Sequence, residues 1–244
     1  MFDVFFEQLP RFMTWANAGF FFRAMLITLF LAMLGCGIGF VLGFLVDLIR
    51  RTQGWIFLPF RFLMTAYVEI FRRVPFLVLL FLVLFISKGL GTDISLFTVA
   101  CISIVIVSTA FIAEIVRAGL ESVHANQHHT AISMNFTELQ ALRYVLLPQA
   151  WKVIIPPAFS FFVMFIKDTS LASQVGVLEL TLAGKYFNNL GYSAILSFGT
   201  IIILYFILSY PMTLLGWKIE ERLMDRSSRR EAIVTTSQKA FELR

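Results

Sequence analysis

The sequence has little charge. Only 14% of its 244 residues are Asp, Glu, Lys or Arg, whereas 59% are hydrophobic and the mean hydropathy is +0.83. Soluble domains carry charge on about a quarter of their residues, so this composition argues against an aqueous enzyme. The 28 Phe residues argue equally against a disordered chain, which is poor in aromatic residues. A multi-span membrane protein is the class that remains.

Signatures of catalysis are also missing. The sequence contains no G-x-x-x-x-G-K-[ST] phosphate loop, no Ser-His-Asp elbow and no paired carboxylate motif. Both cysteines, Cys36 and Cys101, lie inside apolar runs, so a disulfide scaffold is not expected. The three histidines (His124, His128 and His129) have too few acidic or cysteine neighbours for a metal site. We therefore expect no catalytic residue, metal or cofactor in this chain.

Five long runs without charged residues predict membrane-spanning helices. A helix needs about 20 mostly apolar residues to cross the hydrocarbon core, and three of the runs reach that length alone. The other two have 14 residues each and are extended by apolar sequence with sparse charge. The prediction is an all-α membrane protein with about five spans, four being the alternative. The runs are Ala24–Val46, Val74–Ser87, Ile94–Ala113, Val153–Ile166 and Tyr186–Trp217.

The positions of Lys and Arg predict the orientation, because cytoplasmic loops carry an excess of both. With five spans, 15 of the 20 Lys and Arg fall on one side and 5 on the other. This bias places the N-terminus outside and the C-terminus in the cytoplasm. It predicts an N-terminal interfacial segment (1–19), a transmembrane domain (20–220) and a basic cytoplasmic tail (221–244). The aromatic-rich segment 1–19 either lies in the membrane interface or packs on the helix bundle.

Small residues in the first span predict a close helix contact. Gly35, Gly39 and Gly43 recur at every fourth position and therefore share one helix face. Glycines spaced in this way let another helix backbone approach closely. The partner is either a helix of the same subunit or a helix of a neighbouring subunit.

The segment 124–147, between spans 3 and 4, is polar enough to leave the membrane. Its pattern predicts a short helix, a tight left-handed turn and a second helix that starts at a capping box. A short helix with one apolar face needs a groove on a partner. The apolar face lies at Ala131, Ile132 and Met134, the turn at Asn135, and the capping box at Thr137 and Gln140.

The fourth span ends with Lys167-Asp168-Thr169-Ser170. An ionised group costs about 2.5–3.5 kcal/mol at the centre of a membrane helix and less toward the interface. Neighbouring residues of a helix do not face each other, so Lys167 and Asp168 are not expected to neutralise one another. A zwitterionic solute would supply a partner for each charge. Alternatively, both side chains reach the water at the membrane boundary.

Four segments carry recognisable motifs in order. They are Y-V-E-I-F-R-R-V-P at 67–75, A-E-I-V-R-A-G-L at 113–120, L-P-Q-A at 147–150 followed by P-P at 156–157, and K-D-T-S-L-A-S-Q-V-G-V-L-E-L at 167–180. The chain resembles the permease subunits of polar amino-acid ABC importers, the histidine, glutamine, arginine and opine group. The resemblance covers about residues 20–220. One departure is Arg73-Val74, which stands where that family has Gly-Thr.

The resemblance implies a type I importer permease in the multi-pass membrane of a prokaryotic cell. Two such subunits, identical or related, would form the pore and sit on two ATPase subunits that bind ATP and Mg²⁺. An external solute-binding protein would deliver the amino acid. The net charge of +5 then reflects the cytoplasmic loops and does not indicate nucleic acid. Combined with the unpaired charges, the resemblance predicts a substrate pathway at Lys167, Asp168, Thr169 and Ser170.

Segment 124–147 corresponds to that family's coupling loop, usually written E-A-A-x-x-x-G. Here His129 stands at the position of the Glu, Thr130 at the first Ala and Asn135 at the Gly. Two alternatives stay open: a non-transporting or regulatory half of such a complex, which the altered loop suggests, and a stand-alone secondary transporter. The expected ATPase contacts are Gln127, His128, His129, Thr130, Ala131, Ile132, Met134 and Asn135.

Overall fold

The computed structural model describes residues 2–52 and 54–242, with side chains at 6–52 and 54–223, and it contains no strand in these ranges. Hydrocarbon offers no hydrogen-bonding partner, so an apolar chain satisfies its backbone groups by forming helices. The α-helices are α1 (Phe2–Phe12), α2 (Trp15–Arg51), α3 (Leu58–Phe71), α4 (Phe76–Gly89), α5 (Leu96–Glu121), α6 (Ala125–Ser133), α7 (Glu138–Ala141), α8 (Leu147–Asp168), α9 (Leu180–Asn189) and α10 (Ala194–Glu242).

The predicted fold class, an all-α membrane protein with about five spans, is confirmed. The helices α3 and α4 have 14 residues each, so they form a candidate span only as a pair, and the chain bends by 116° between them. This bend coincides with Pro75, which caps the start of α4 and cannot continue α3. Four other stretches among the described residues are each long and apolar enough to cross a membrane: Trp15–Arg51, Leu96–Glu121, Glu138–Val175 and Ala194–Leu223.

Two helix boundaries differ from the charge-free runs. The first span begins at Trp15, inside segment 1–19, because the Thr14 side chain accepts a hydrogen bond from the Asn17 amide (3.3 Å) and caps α2. The last run, Tyr186–Trp217, is divided by a turn between α9 and α10. Gly191 provides the positive φ (91°) that this turn requires. Charge content alone carries no signal for either boundary.

The N-terminal helix α1 packs on the bundle. The ring of Phe12 is buried and lies 5.3 Å, between centroids, from the rings of Phe187 and Tyr192. The Gln8 side chain donates to the Gly191 carbonyl (3.1 Å) and accepts from the Ser193 amide (2.7 Å). These contacts attach α1 to the turn between α9 and α10.

The chain forms two compact units. Unit 1 comprises Met1–Glu114 and Phe161–Pro211, and unit 2 comprises Ile115–Ser160 and Met212–Arg244. Glycine permits a close helix contact in unit 1, where α2 lies directly against α5. A Cβ atom at Gly39 would lie 1.8 Å from Ser108 Oγ. The partner of the glycine face is therefore a helix of the same subunit, which is the first of the two predicted alternatives.

We predict that Gly39→Ala destabilises the protein by about 1–3 kcal/mol, because the added methyl group forces α2 away from α5. The measurement is the thermal midpoint of the purified protein in detergent. Gly37→Ala is the matched control, since a Cβ atom there has nothing within 4 Å. Equal midpoints for the two variants would contradict the proposed close contact.

Candidate functional site

The charged pair at the end of α8 has no ion-pair partner among the residues that the structure describes. Lys167 is exposed and Asp168 is half-buried, and neither side chain makes a hydrogen bond or ion pair with any residue that the structure describes. The two residues occupy the last positions of α8 in unit 1. A cation and an anion are thus available side by side for a solute or for water.

Thr169 and Ser170 differ in accessibility. Thr169 is fully buried and its hydroxyl donates to the Ile166 carbonyl (2.8 Å). This bond joins α8 to a 3₁₀ helix that ends at Gly176 in the left-handed region (φ 93°). Ser170 is half-buried. Of the four predicted pathway residues, Thr169 is therefore inaccessible to a solute, because its side chain is buried and its hydroxyl is bound within the chain.

A buried carboxylate lies just beyond this segment. Glu179 is fully buried and caps α9 by accepting from the Leu182 amide (2.9 Å). Tyr205 of α10 donates its hydroxyl hydrogen to the same carboxylate (2.6 Å). Burial raises the pKa of Glu179, and its hydrogen bonds oppose that rise. Next to it, the Leu180 amide donates to Thr28 Oγ1 (3.1 Å), so this network connects α2, α9 and α10.

A second charged cluster joins two of the motifs identified in the sequence. Glu114 of α5 lies 3.5 Å from Arg72 at the end of α3 and 3.7 Å from Arg50 of α2, measured between side-chain O and N atoms. The Arg72 guanidinium also lies 5.9 Å from the centre of the Phe111 ring. Sequence reasoning did not assign these residues a role. The signal in the sequence was the presence of Arg72 and Glu114 in two of the motifs. Spacing along the chain does not show that these motifs meet.

In unit 2, the predicted helix, turn and helix are present in segment 124–147. Asn135 has φ 64°, the Phe136 amide donates to the Ala131 carbonyl (3.1 Å), and the Asn135 amide donates to the Ile132 carbonyl (2.9 Å). This pair of bonds is the Schellman motif that closes helices. Both hydrogen bonds of the predicted capping box, between Thr137 and Gln140, are formed (2.9 and 3.3 Å).

The predicted apolar face of α6 is only partly accessible. Ala131 is 2% exposed, whereas Ile132 is 40% and Met134 is 66% exposed. Ala131 thus packs inside its own unit, and its neighbours remain available to a partner. Leu139, in the first turn of α7, is 69% exposed. It was not predicted as a contact, because it lies beyond the turn that ends α6.

The polar residues of the loop have local contacts. His124 caps α6, because its Nδ1 atom accepts from the Asn126 amide (3.2 Å). His128 Nε2 lies 2.9 Å from a carboxylate oxygen of Glu138 and so links α6 to α7. Among the described residues, no group of three or more His, Cys, Asp or Glu is placed to hold a metal ion. Gln127 accepts from Gln149 (3.4 Å), and His129 and Thr130 are exposed.

Residues 39–215 match the family described as "Binding-protein-dependent transport system inner membrane component". The chain belongs to this family. The predicted class, a multi-pass permease of the inner membrane, is thereby confirmed. Such a permease is a component of a transport system and not itself catalytic.

Relatives of this permease are named as permeases of amino-acid transporters. It is 33% identical to the "Probable glutamine ABC transporter permease protein GlnM" of Bacillus subtilis, over 80% of this chain and 89% of that protein. It is 29% identical to the "Glutamine transport system permease protein GlnP" of Escherichia coli K12, over 81% and 90% of the two chains.

Solved structures agree with this family. The chain is similar to one chain of the crystal structure of an amino acid ABC transporter with histidines, with 28% identity and a TM-score of 0.79. The match covers 85% of this chain and 95% of that one. The methionine ABC transporter MetNI, in an inward-facing conformation, gives 25% identity and a TM-score of 0.74, over 86% and 99% of the chains.

We predict that Tyr205→Phe lowers the free energy of unfolding of this permease by about 1–3 kcal/mol, because a buried carboxylate loses a donor. Ionising Glu179 opposes folding, since its pKa is raised from 4.5. Stability therefore falls as the pH rises from about 4.5 through the folded-state pKa, and it falls further in the variant.

Thermal midpoints measured across that pH range test this prediction. Tyr210→Phe is the control, because Tyr210 lies on the same helix and is 48% exposed. A midpoint for Tyr205→Phe that matches this control at every pH would contradict the role given to the Glu179 network.

Proposed function

We propose that this chain forms the translocation pathway of an ATP-driven amino-acid importer. The family is described as the inner membrane component of a binding-protein-dependent transport system, and two relatives are named as glutamine permeases. A second permease subunit completes the pore. An external solute-binding protein delivers the amino acid, and two ATPase subunits bind ATP and Mg²⁺ and supply the energy. Alternating access follows from nucleotide-driven closure of those ATPase subunits.

One observation carries the substrate proposal: Lys167 and Asp168 are adjacent, oppositely charged and without an ion pair among the described residues. An amino acid carries one carboxylate and one ammonium group. Lys167 would pair with the carboxylate and Asp168 with the ammonium group by charge-assisted hydrogen bonds. Ser170 adds a hydroxyl that donates or accepts. Thr169 stabilises the segment through the hydrogen bond from its hydroxyl to the Ile166 carbonyl.

The loop 124–147 is proposed to be the coupling loop, and the exposed apolar side chains at its turn are proposed to contact the ATPase. Ile132, Met134 and Leu139 are exposed around this turn. Gln127, His128, His129 and Thr130 surround that contact. Asn135 fixes the turn, and buried Ala131 holds α6 against its own unit. His129 stands where the family has a Glu, so that acidic contact is absent. Apolar side chains buried in a groove of the ATPase would supply the affinity in its place.

The proposed topology keeps the N-terminus outside and the C-terminus in the cytoplasm. It rests on the excess of Lys and Arg on one side of the membrane, 15 against 5. Residues 1–19 are then an external interfacial segment, 20–220 the transmembrane domain and 221–244 a cytoplasmic tail. Most side chains of that tail lie outside the described residues.

We predict that Lys167→Ala and Asp168→Ala each reduce amino-acid uptake about tenfold or more, which corresponds to the loss of one charge-assisted hydrogen bond. The measurement is ATP-dependent uptake by proteoliposomes that contain the permease, its ATPase and its binding protein. Lys88→Ala and Asp93→Ala are controls, because both residues are exposed, Lys88 in the last turn of α4 and Asp93 between α4 and α5. Unchanged uptake in the first two variants would refute the substrate pathway.

We also predict that Ile132→Asp abolishes co-purification with the ATPase, because a charge would enter an apolar groove. Ser133→Asp is the matched control: it adds the same charge at the neighbouring exposed position. Retention of the ATPase by Ile132→Asp would show that the contact lies elsewhere. This outcome would leave the pathway prediction intact, so the two parts of the proposal fail separately.

A further inference from the structure

A preformed apolar cleft in unit 1 has no role in the proposed transport function. It has a volume of about 760 Å³ and is lined by α1, the start of α2 and the start of α10. Its lining includes Leu9 and Phe12 of α1, Ala18 and Phe22 of α2, and Gly199 and Ile203 of α10. Ligand sites for small molecules have volumes of about 300–1,000 Å³.

The floor of the cleft is rigid. Phe12 and Phe21, which both line it, are buried and lie 5.7 Å apart between ring centroids. Phe21 stacks on Phe187 at 4.8 Å, and Phe12 meets Tyr192 at 5.3 Å. A floor fixed by these ring contacts does not need to be ordered when a ligand binds, which reduces the entropic cost of binding.

The length of the cleft fits one leaflet of a bilayer. Its lining runs from Thr14 to Met25 along one helix and from Ile195 to Leu204 along another. At 1.5 Å per residue these stretches are about 14–17 Å long, close to half of the roughly 30 Å hydrocarbon core. An extended acyl chain of one leaflet has the same depth.

The polarity of the cleft also changes along its length. Of the three polar side chains in the lining, Thr14 and Asn17 lie at the start of α2, and Thr200 lies on α10. The Asn17 side chain donates to the Phe12 carbonyl (2.9 Å). Trp15, also in the lining, is 94% exposed, as expected for a side chain at the membrane interface. Exposed Arg11 precedes Phe12 and makes no ion pair with a described residue.

We propose that this cleft binds one glycerophospholipid, with an acyl chain between α2 and α10 and the phosphate group beside Arg11. The cleft opens to the bilayer, because Phe22 and Ile203 in its walls are 57% and 60% exposed. The bound lipid fills the space between the two helices, and it holds α1 against the starts of α2 and α10.

The test is native mass spectrometry of the delipidated permease complex titrated with palmitoyl-oleoyl phosphatidylglycerol. We expect one tightly retained lipid per permease chain. Gly199→Leu and Ala18→Leu fill the cleft and lower the apparent affinity about tenfold or more. Gly37→Leu leaves the affinity unchanged. Gly37 is the matched control for Gly199, because a Cβ atom at either helical glycine has nothing within 4 Å.

Arg11→Gln tests the headgroup, and we expect it to weaken binding about fivefold, the effect of one basic residue near an anionic lipid. Equal lipid retention in wild type, Gly199→Leu and Ala18→Leu would overturn the proposal. A second outcome would also overturn it: Gly199→Leu and Ala18→Leu lose cross-linking between two permease chains but retain the lipid. The cleft would then hold a helix of a second copy.

Discussion

The direct contact between α2 and α5 is the constraint on which much of unit 1 depends. At Gly39 the two helices are so close that a single methyl group does not fit. The same approach brings Val46 of α2 and Ala113 of α5 into one buried cluster with Val68 of α3. The clustered residues are apolar, and dispersion contacts between them require such short distances.

This contact also determines where charge is tolerated. Glu114 follows Ala113 directly on α5, and it is positioned between Arg50 and Arg72 from two other helices. A single carboxylate between two guanidinium groups reduces the repulsion that these would otherwise exert on each other. In contrast, Lys167 and Asp168 at the end of α8 have no such partners among the described residues. The difference separates charges that are paired between helices from charges for which we propose a solute as the partner.

Local patterns in the sequence predicted local structure well. Asn135 adopts the left-handed conformation, and Thr137 and Gln140 form both bonds of the capping box, because both features depend on residues within one turn of each other. Apolar runs likewise predicted the number of spans. The same reasoning missed Leu139 and the burial of Ala131, because exposure depends on what packs against a helix from elsewhere in the chain.

The helical, membrane-spanning character of this protein follows from its apolar runs, because a chain in hydrocarbon must be long enough to cross it and must satisfy its own backbone hydrogen bonds. The sequence by itself also determined the family, through motifs in a fixed order. Tertiary structure alone decided that the glycine face of α2 meets α5, that Glu179 binds Tyr205, and that α1 and α10 enclose a cleft. These contacts join residues that are far apart in the chain, so no local pattern encodes them.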